Sequence, residues 1–375
     1  MTIGNLTQMS SSNRTAVVAA DPESERLIAA QAGLLVHRTE SLNCETPPAA
    51  LGGDVTPTAQ FYRRNHFPVP ALDGAAWRLD VGGMVQQPLS LSLHELTQLP
   101  AETAVITLEC AGNGRALFRP STPGVQWEFG AVGAAEWTGP HLADVLARAG
   151  IQHGAREVIF GGADRGMVDG LPHPIRFERS LTVQDALESG ALLAYAMNGQ
   201  PLPVRHGYPL RLVVPGWYAV ASVKWLTDIR VVAEQFGGFF QDTDYVYEWN
   251  RGGIGVREPV CLQQVRALIT RPGTGQELSC GGVIVRGLAW SGAAPIAQVE
   301  VSVADGPWQK ARLVGMPAAH GWQQWEFLAT GLRPGEVRIR ARASDLAGRS
   351  QPEQPEWNRR GYDANFIHEI RVLLR

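Results

Sequence analysis

Two domains in series are predicted: an α+β domain of mixed strands and short helices, followed by an all-β sandwich. Three observations predict them. The chain has 375 residues, of which 45% are hydrophobic, more than a single core of ordinary size requires. Between Pro57 and Val232, short β-branched runs mix with helical patterns. After Glu258 the pattern becomes strict alternation, the period of a half-buried strand.

Residues 1–56 read as a tail and lead-in. Met1 to about Arg26 are polar and rich in Ser, Thr and Asn, with no apolar run of signal-peptide length. That suggests a cytoplasmic protein, or a periplasmic one whose export signal has been removed. Residues 57–257 form the first domain. Ala104–Leu108, Glu157–Phe160 and Leu210–Val214 are strand-like, and His141–Ala149 carries the apolar spacing of a helix. The 25 prolines and 41 glycines are spread through the chain, so long loops are expected to carry any site. The aromatic, irregular stretch Gln235–Arg257 reads as a linker packed on the domain surface.

Residues 258–375 form the second domain. Val299, Val301 and Val303 alternate with Glu300 and Ser302, and Asp305-Gly306 supplies a hairpin turn. Ile339, Ala341 and Ala343 repeat the pattern. With Val283–Val285, Trp322–Phe327 and Phe366–Val372 this gives about seven strands, as in an immunoglobulin-like sandwich.

Composition excludes several functions. A formal charge of −3 supplies no global basic field, so nucleic-acid binding is not expected. No window is apolar enough to span a membrane. Positive charge is almost all arginine, the only lysines being Lys224 and Lys310, so a single arginine carries little information. The four cysteines, Cys44, Cys110, Cys261 and Cys280, show no zinc, haem or disulfide spacing.

One cysteine stands apart. In Leu108-Glu-Cys-Ala-Gly-Asn-Gly-Arg115, Cys110 falls between a strand-like run and a turn. A small buried hydrophobe at a strand end is the ordinary reading of such a residue. Gly112, Asn113 and Gly114, however, suit positive backbone angles, which would place the thiol at an exposed corner, and Arg115 would favour a thiolate able to bind a metal.

This loop resembles the cysteine loop of the sulfite oxidase family of molybdenum enzymes. Further segments resemble the family in the same order: Phe61-Tyr-Arg-Arg-Asn-His, Tyr195-Ala-Met-Asn-Gly, His206-Gly-Tyr-Pro-Leu-Arg, Ser222-Val-Lys-Trp and Trp357-Asn-Arg-Arg-Gly. Together they cover residues 57 to 375.

The resemblance implies a molybdopterin-binding domain followed by an immunoglobulin-like dimerisation domain, hence a homodimer. It implies Cys110 as the protein's thiolate ligand to molybdenum, with the rest of the coordination brought by a molybdopterin. The cofactor would be held by Tyr62, Arg64, Asn65, His66, Asp164, His206, Arg211 and the run Ser222, Val223, Lys224. Sulfite would be bound by Arg64, Arg115, Trp127, Tyr195 and Arg360, because forked guanidinium donors suit pyramidal and tetrahedral oxyanions. The implied reaction is oxidation of sulfite to sulfate. No haem segment is present, so electrons would pass to an external acceptor such as cytochrome c or oxygen.

Two alternatives stay open. A sulfane dehydrogenase subunit, acting on protein-bound sulfur with a haem partner, carries a similar loop, and a relative that binds cofactor without catalysis would look alike. Gly114 also stands where animal and plant members carry another arginine.

Overall fold

The computed structural model describes residues 21–251, 254–317 and 319–375, with side chains 249–256 left aside. Most of the expected tail therefore lies outside the described residues. Its last part is folded. Asp21 caps a helix over Pro22–Gln31, and its carboxylate accepts from the Ser24 amide at 3.0 Å. A short antiparallel pair, Leu35–Arg38 with Asn43–Glu45, follows.

The first domain is built on two main sheets. One orders its strands as Leu89–Ser92, Arg78–Gly83, Leu226–Val232, Glu157–Gly166 and Ile175–Thr182, with a single parallel pair between 78–83 and 226–232. The other is antiparallel and centres on Glu102–Glu109 paired with Val132–Gly139. The predicted helix spans Leu142–Ala149. It buries Leu142, Val145, Leu146 and Ala149, one stripe at helical spacing, and ends where Gly150 takes the left-handed conformation.

The second domain is a sandwich of a four-stranded and a five-stranded sheet, so nine short strands stand where about seven were expected. The extra ones are two-residue pieces such as Glu277–Leu278 and Gln309–Lys310. Alternation places Val299, Val301, Ile339, Ala341 and Ala343 inside, as anticipated, and Ala304 and Asp305 make the hairpin with positive φ.

The domains share a core. Leu268, Leu288, Trp290 and Trp322 of the sandwich pack on Leu51, Val132 and Ala134 of the first domain. Each such side chain removed from water contributes on the order of 1.5–3 kcal/mol before ordering costs. Beside this core lies a buried polar tie. Glu109 is fully buried, and its carboxylate accepts from Asn113 Nδ2 at 2.9 Å and Trp290 Nε1 at 2.8 Å, with Arg266 Nε 3.3 Å away. Arg266 in turn donates to the Asn113 and Ala364 carbonyls at 3.1 and 2.7 Å. The residue just before Cys110 is thereby held by the second domain.

Gln235–Arg257 is not a surface linker. Phe240, Tyr245 and Tyr247 enter the first domain's main core, and Val246–Arg251 pairs with Ile254–Pro259 as a hairpin. The aromatic side chains that made the stretch look irregular are what bury it.

Candidate functional site

The strand Glu102–Glu109 runs directly into Cys110, and a tight loop returns through Arg115–Leu117. Of the three turn residues, only Gly114 has a positive φ, +89°. Gly112 serves by its lack of a side chain, since a Cβ there would lie 2.6 Å from the Arg115 guanidinium. Cys110 is buried rather than displayed, with 5% of its surface exposed. Burial pushes its thiol above the ordinary value, while Arg64 and Arg115 pull it back.

Two cavities meet at Cys110. The first gathers Tyr62, Asn65 and His66 from one segment and His206, Arg211, Ser222 and Lys224 from another, together with Asp164. Arg211 donates to the His206 and Ser222 carbonyls at 3.0 and 3.2 Å and lies over the Trp137 ring. Ser222 Oγ accepts from the Val214 amide at 3.0 Å, which leaves its hydroxyl proton for another partner. Lys224 Nζ donates to Arg64 O at 3.1 Å and to Asn65 Oδ1.

Charge in this cavity is unbalanced. Arg63, Arg64, Arg205, Arg211 and Lys224 line it, against the single carboxylate of Asp164. Arg205 is paired with Glu25, but Arg63 Nε and Nη1 and Arg211 Nε are buried without any hydrogen-bond partner. Burial and the Arg211 charge push the Lys224 ammonium down to about 7, although Asp164 opposes the shift. Burial raises Asp164 to about 6 against the pull of Lys224. His66 and His206 are held neutral by burial among cations. The oxygens of a phosphate would fit these unpartnered cationic nitrogens.

The second cavity holds Arg64, Arg115 and Arg360 with Tyr245, Tyr362 and Asp244. Arg115 Nε donates to the Arg360 carbonyl at 3.0 Å and Nη1 to Val125 O at 3.1 Å. Arg360 Nη2 donates to Thr243 O at 2.9 Å, and its Nη1 lies 3.3 Å from Asp244 Oδ1. Residues 245 positions apart thus close one pocket.

Three expected residues are placed elsewhere. Tyr195 lines neither cavity; its amide donates to Thr138 O and its ring packs on the core between two short strands. Trp127 is fully buried in the core cluster that includes Cys110 and Val125, edge-on to His37 at 5.0 Å. Val223 turns into the core while its neighbours Ser222 and Lys224 line the cavity. Tyr245, which sequence reasoning missed, is the tyrosine at the junction. It lines both cavities, lies 2.9 Å from His66 Nε2 and stacks on Tyr362 at 5.1 Å. Burial pushes its hydroxyl up to about 12, so it stays protonated and can donate.

Among the described residues, no group of three His, Cys, Asp or Glu side chains could hold a metal. A metal at Cys110 must bring most of its ligands with it. Residues 66–240 match the family model "Oxidoreductase molybdopterin binding domain", and residues 258–374 match "Mo-co oxidoreductase dimerisation domain". The chain is 35% identical to mouse mitochondrial sulfite oxidase over 96% of its length and 68% of that protein. It is also 35% identical to sulfite oxidase of Arabidopsis thaliana, over 91% of this chain and 94% of the plant protein.

The chain belongs to the sulfite oxidase family of molybdopterin enzymes. It is a molybdenum-dependent oxidoreductase. In fold, the structure of the sulfane dehydrogenase SoxCD from Paracoccus pantotrophus superposes with a TM-score of 0.76 at 24% identity, covering 97% of this chain and 92% of that one. A molybdopterin combines sulfur donors for a metal with a phosphate, a chemistry that would fit the unbalanced cavity. Among the described residues, no helix is long and apolar enough to cross a membrane.

Proposed function

We propose that the protein oxidises sulfite to sulfate at Cys110. Sulfite and water yield sulfate, two protons and two electrons, and the electrons leave to an external acceptor. One observation carries the reading: Arg64, Arg115 and Arg360 converge with Tyr245 on a second cavity that also reaches Cys110. The names of the curated relatives support the same substrate.

In this reading Lys224, Arg211, Ser222 and His206 hold the pterin phosphate, and Cys110 supplies the thiolate to the metal. The bound cofactor supplies two-electron oxygen-transfer chemistry. The guanidiniums bind and orient the oxyanion, each through charge-assisted donors already fixed by main-chain acceptors. Tyr245, protonated and aimed at the junction, donates to the substrate or to its product. Pairing through residues after 258 makes a homodimer, a closed two-fold arrangement that light scattering checks against the 40.6 kDa chain. Residues 57–257 and 258–375 are the two units of this assembly.

The test is metal analysis together with sulfite-dependent ferricyanide reduction by the purified protein. Stoichiometric molybdenum with rapid sulfite turnover is expected. A molybdenum-loaded protein inert to sulfite but active on a protein-bound sulfane would overturn the substrate assignment.

A further inference from the structure

The anion pocket contains a fourth guanidinium. Arg38 ends the strand Leu35–Arg38 and lines the same cavity as Arg64, Arg115 and Arg360. It comes from a segment ahead of residues 66–240, the part matched by the family's molybdopterin-binding model.

That segment is firmly referenced to the site. Asn43 Oδ1, on the paired strand, accepts from the Asn65 amide at 3.0 Å and from Arg64 Nη1 at 3.4 Å. Cys44 and Arg63 exchange both backbone hydrogen bonds, at 3.0 and 2.9 Å. The Glu45 carboxylate accepts from the Gly130 amide at 3.1 Å. Arg38 therefore stands at a set place relative to Arg64.

Its chemistry differs from that of the other three. Arg64, Arg115 and Arg360 each donate to fixed oxygen acceptors of the protein. Arg38 is exposed, and among the described residues its guanidinium has no hydrogen-bond or ion-pair partner. The one carboxylate lining the pocket, Asp244, is already engaged by Arg360. A cleft with four guanidiniums against one carboxylate focuses its field on approaching anions, and the exposed group at its mouth meets them first.

We infer that Arg38 is a specificity-determining residue of this pocket, which captures an incoming pyramidal or tetrahedral oxyanion and delivers it to Arg64, Arg115 and Arg360. The identity of the oxyanion as sulfite rests on the function proposed above; the capture of an oxyanion does not. A charge at a rim acts mainly on arrival and on salt dependence. Removing it raises KM far more than it lowers kcat.

The experiment uses the holoenzyme as wild type, Arg38→Gln, Arg38→Lys and, as a control for net charge, Arg333→Gln on the sandwich. Calorimetric titration with sulfate measures anion affinity, and sulfite kinetics at low and high ionic strength measure capture. Expected for Arg38→Gln are roughly fivefold weaker sulfate binding, a comparable rise in KM and a shallower salt dependence. Arg38→Lys should recover most of this, and Arg333→Gln should match wild type. Sulfate affinity equal in wild type and Arg38→Gln, or no sulfate binding by wild type, overturns the inference. If wild type binds sulfate but leaves sulfite untouched, the proposed function fails while the titrations still decide the role of Arg38.

Discussion

The two cavities that meet at Cys110 are both lined by cations, yet those cations are engaged to different degrees. In the first, Arg63 and Arg211 are buried, and three of their nitrogen atoms lack hydrogen-bond partners. In the second, Arg115 and Arg360 donate to main-chain carbonyls with Asp244 beside Arg360, and one nitrogen, Arg360 Nε, is buried without a partner. An uncompensated buried charge costs several kcal/mol, so a bound anion would stabilise the first cavity more than the second. A site whose anion comes and goes with each turnover would need the weaker dependence. A permanent ligand can belong to the protein's own charge balance; a substrate cannot.

The largest effect should come from the cysteine at which the cavities meet. Cys110→Ala is expected to fold with a wild-type circular dichroism spectrum and to lose essentially all sulfite turnover, whereas Cys261→Ser and Cys280→Ser stay active. Substantial turnover by Cys110→Ala would dissolve the comparison altogether.

Next come single arginines on either side. Arg360→Met removes one charge-assisted anion contact, worth about 1.5–3 kcal/mol, and should lower kcat/KM for sulfite roughly ten- to a hundredfold. Molybdenum content should hold. Arg211→Met should do the reverse, lowering molybdenum and pterin content on purification. Equal loss of metal in both variants would show that the two cavities are not separate in function.

Tyr245→Phe deletes a neutral donor, worth about 0.5–1.5 kcal/mol, so kcat/KM should fall roughly two- to tenfold. Tyr195→Phe should leave it alone. The opposite outcome would return the role to Tyr195.

The effect with least bearing on turnover is one of pH. Lys224 titrates near 7 in the cavity against 10.5 as an ordinary lysine, so between those values the unfolded chain holds the extra proton. Stability of cofactor-free protein should therefore rise with pH from about 7 towards 10, by at most about 1.4 kcal/mol per pH unit. Denaturant melts should show the slope, and Lys224→Met or a bound phosphate should flatten it.

Much of this was legible in the sequence. Val299 to Val303 and Ile339 to Ala343 declare a sandwich because a strand with one buried face must alternate. Short contiguous motifs located Cys110, His206 and Lys224, since backbone turns at those points hold neighbours together. Tyr245 and Arg38 were not legible. Tyr245 reaches the site from a stretch without periodicity, fixed only by packing against residues such as Tyr362 far along the chain. Arg38 is one arginine in an arginine-rich chain, and only the pairing of its strand with Asn43–Glu45 sets its place. Tyr195 lies outside both cavities, its amide bonded to Thr138, a partner no local pattern reveals.

The tie between Glu109 and Arg266 bears on how such proteins can be recombined. A chimera that keeps this catalytic loop but takes its sandwich from a relative without an arginine at the matching strand position would inherit a carboxylate sealed away from water, with its cation gone. The defect would sit one residue from Cys110. The two domains are therefore expected to exchange only as a pair, or after Glu109 has been replaced with an uncharged residue.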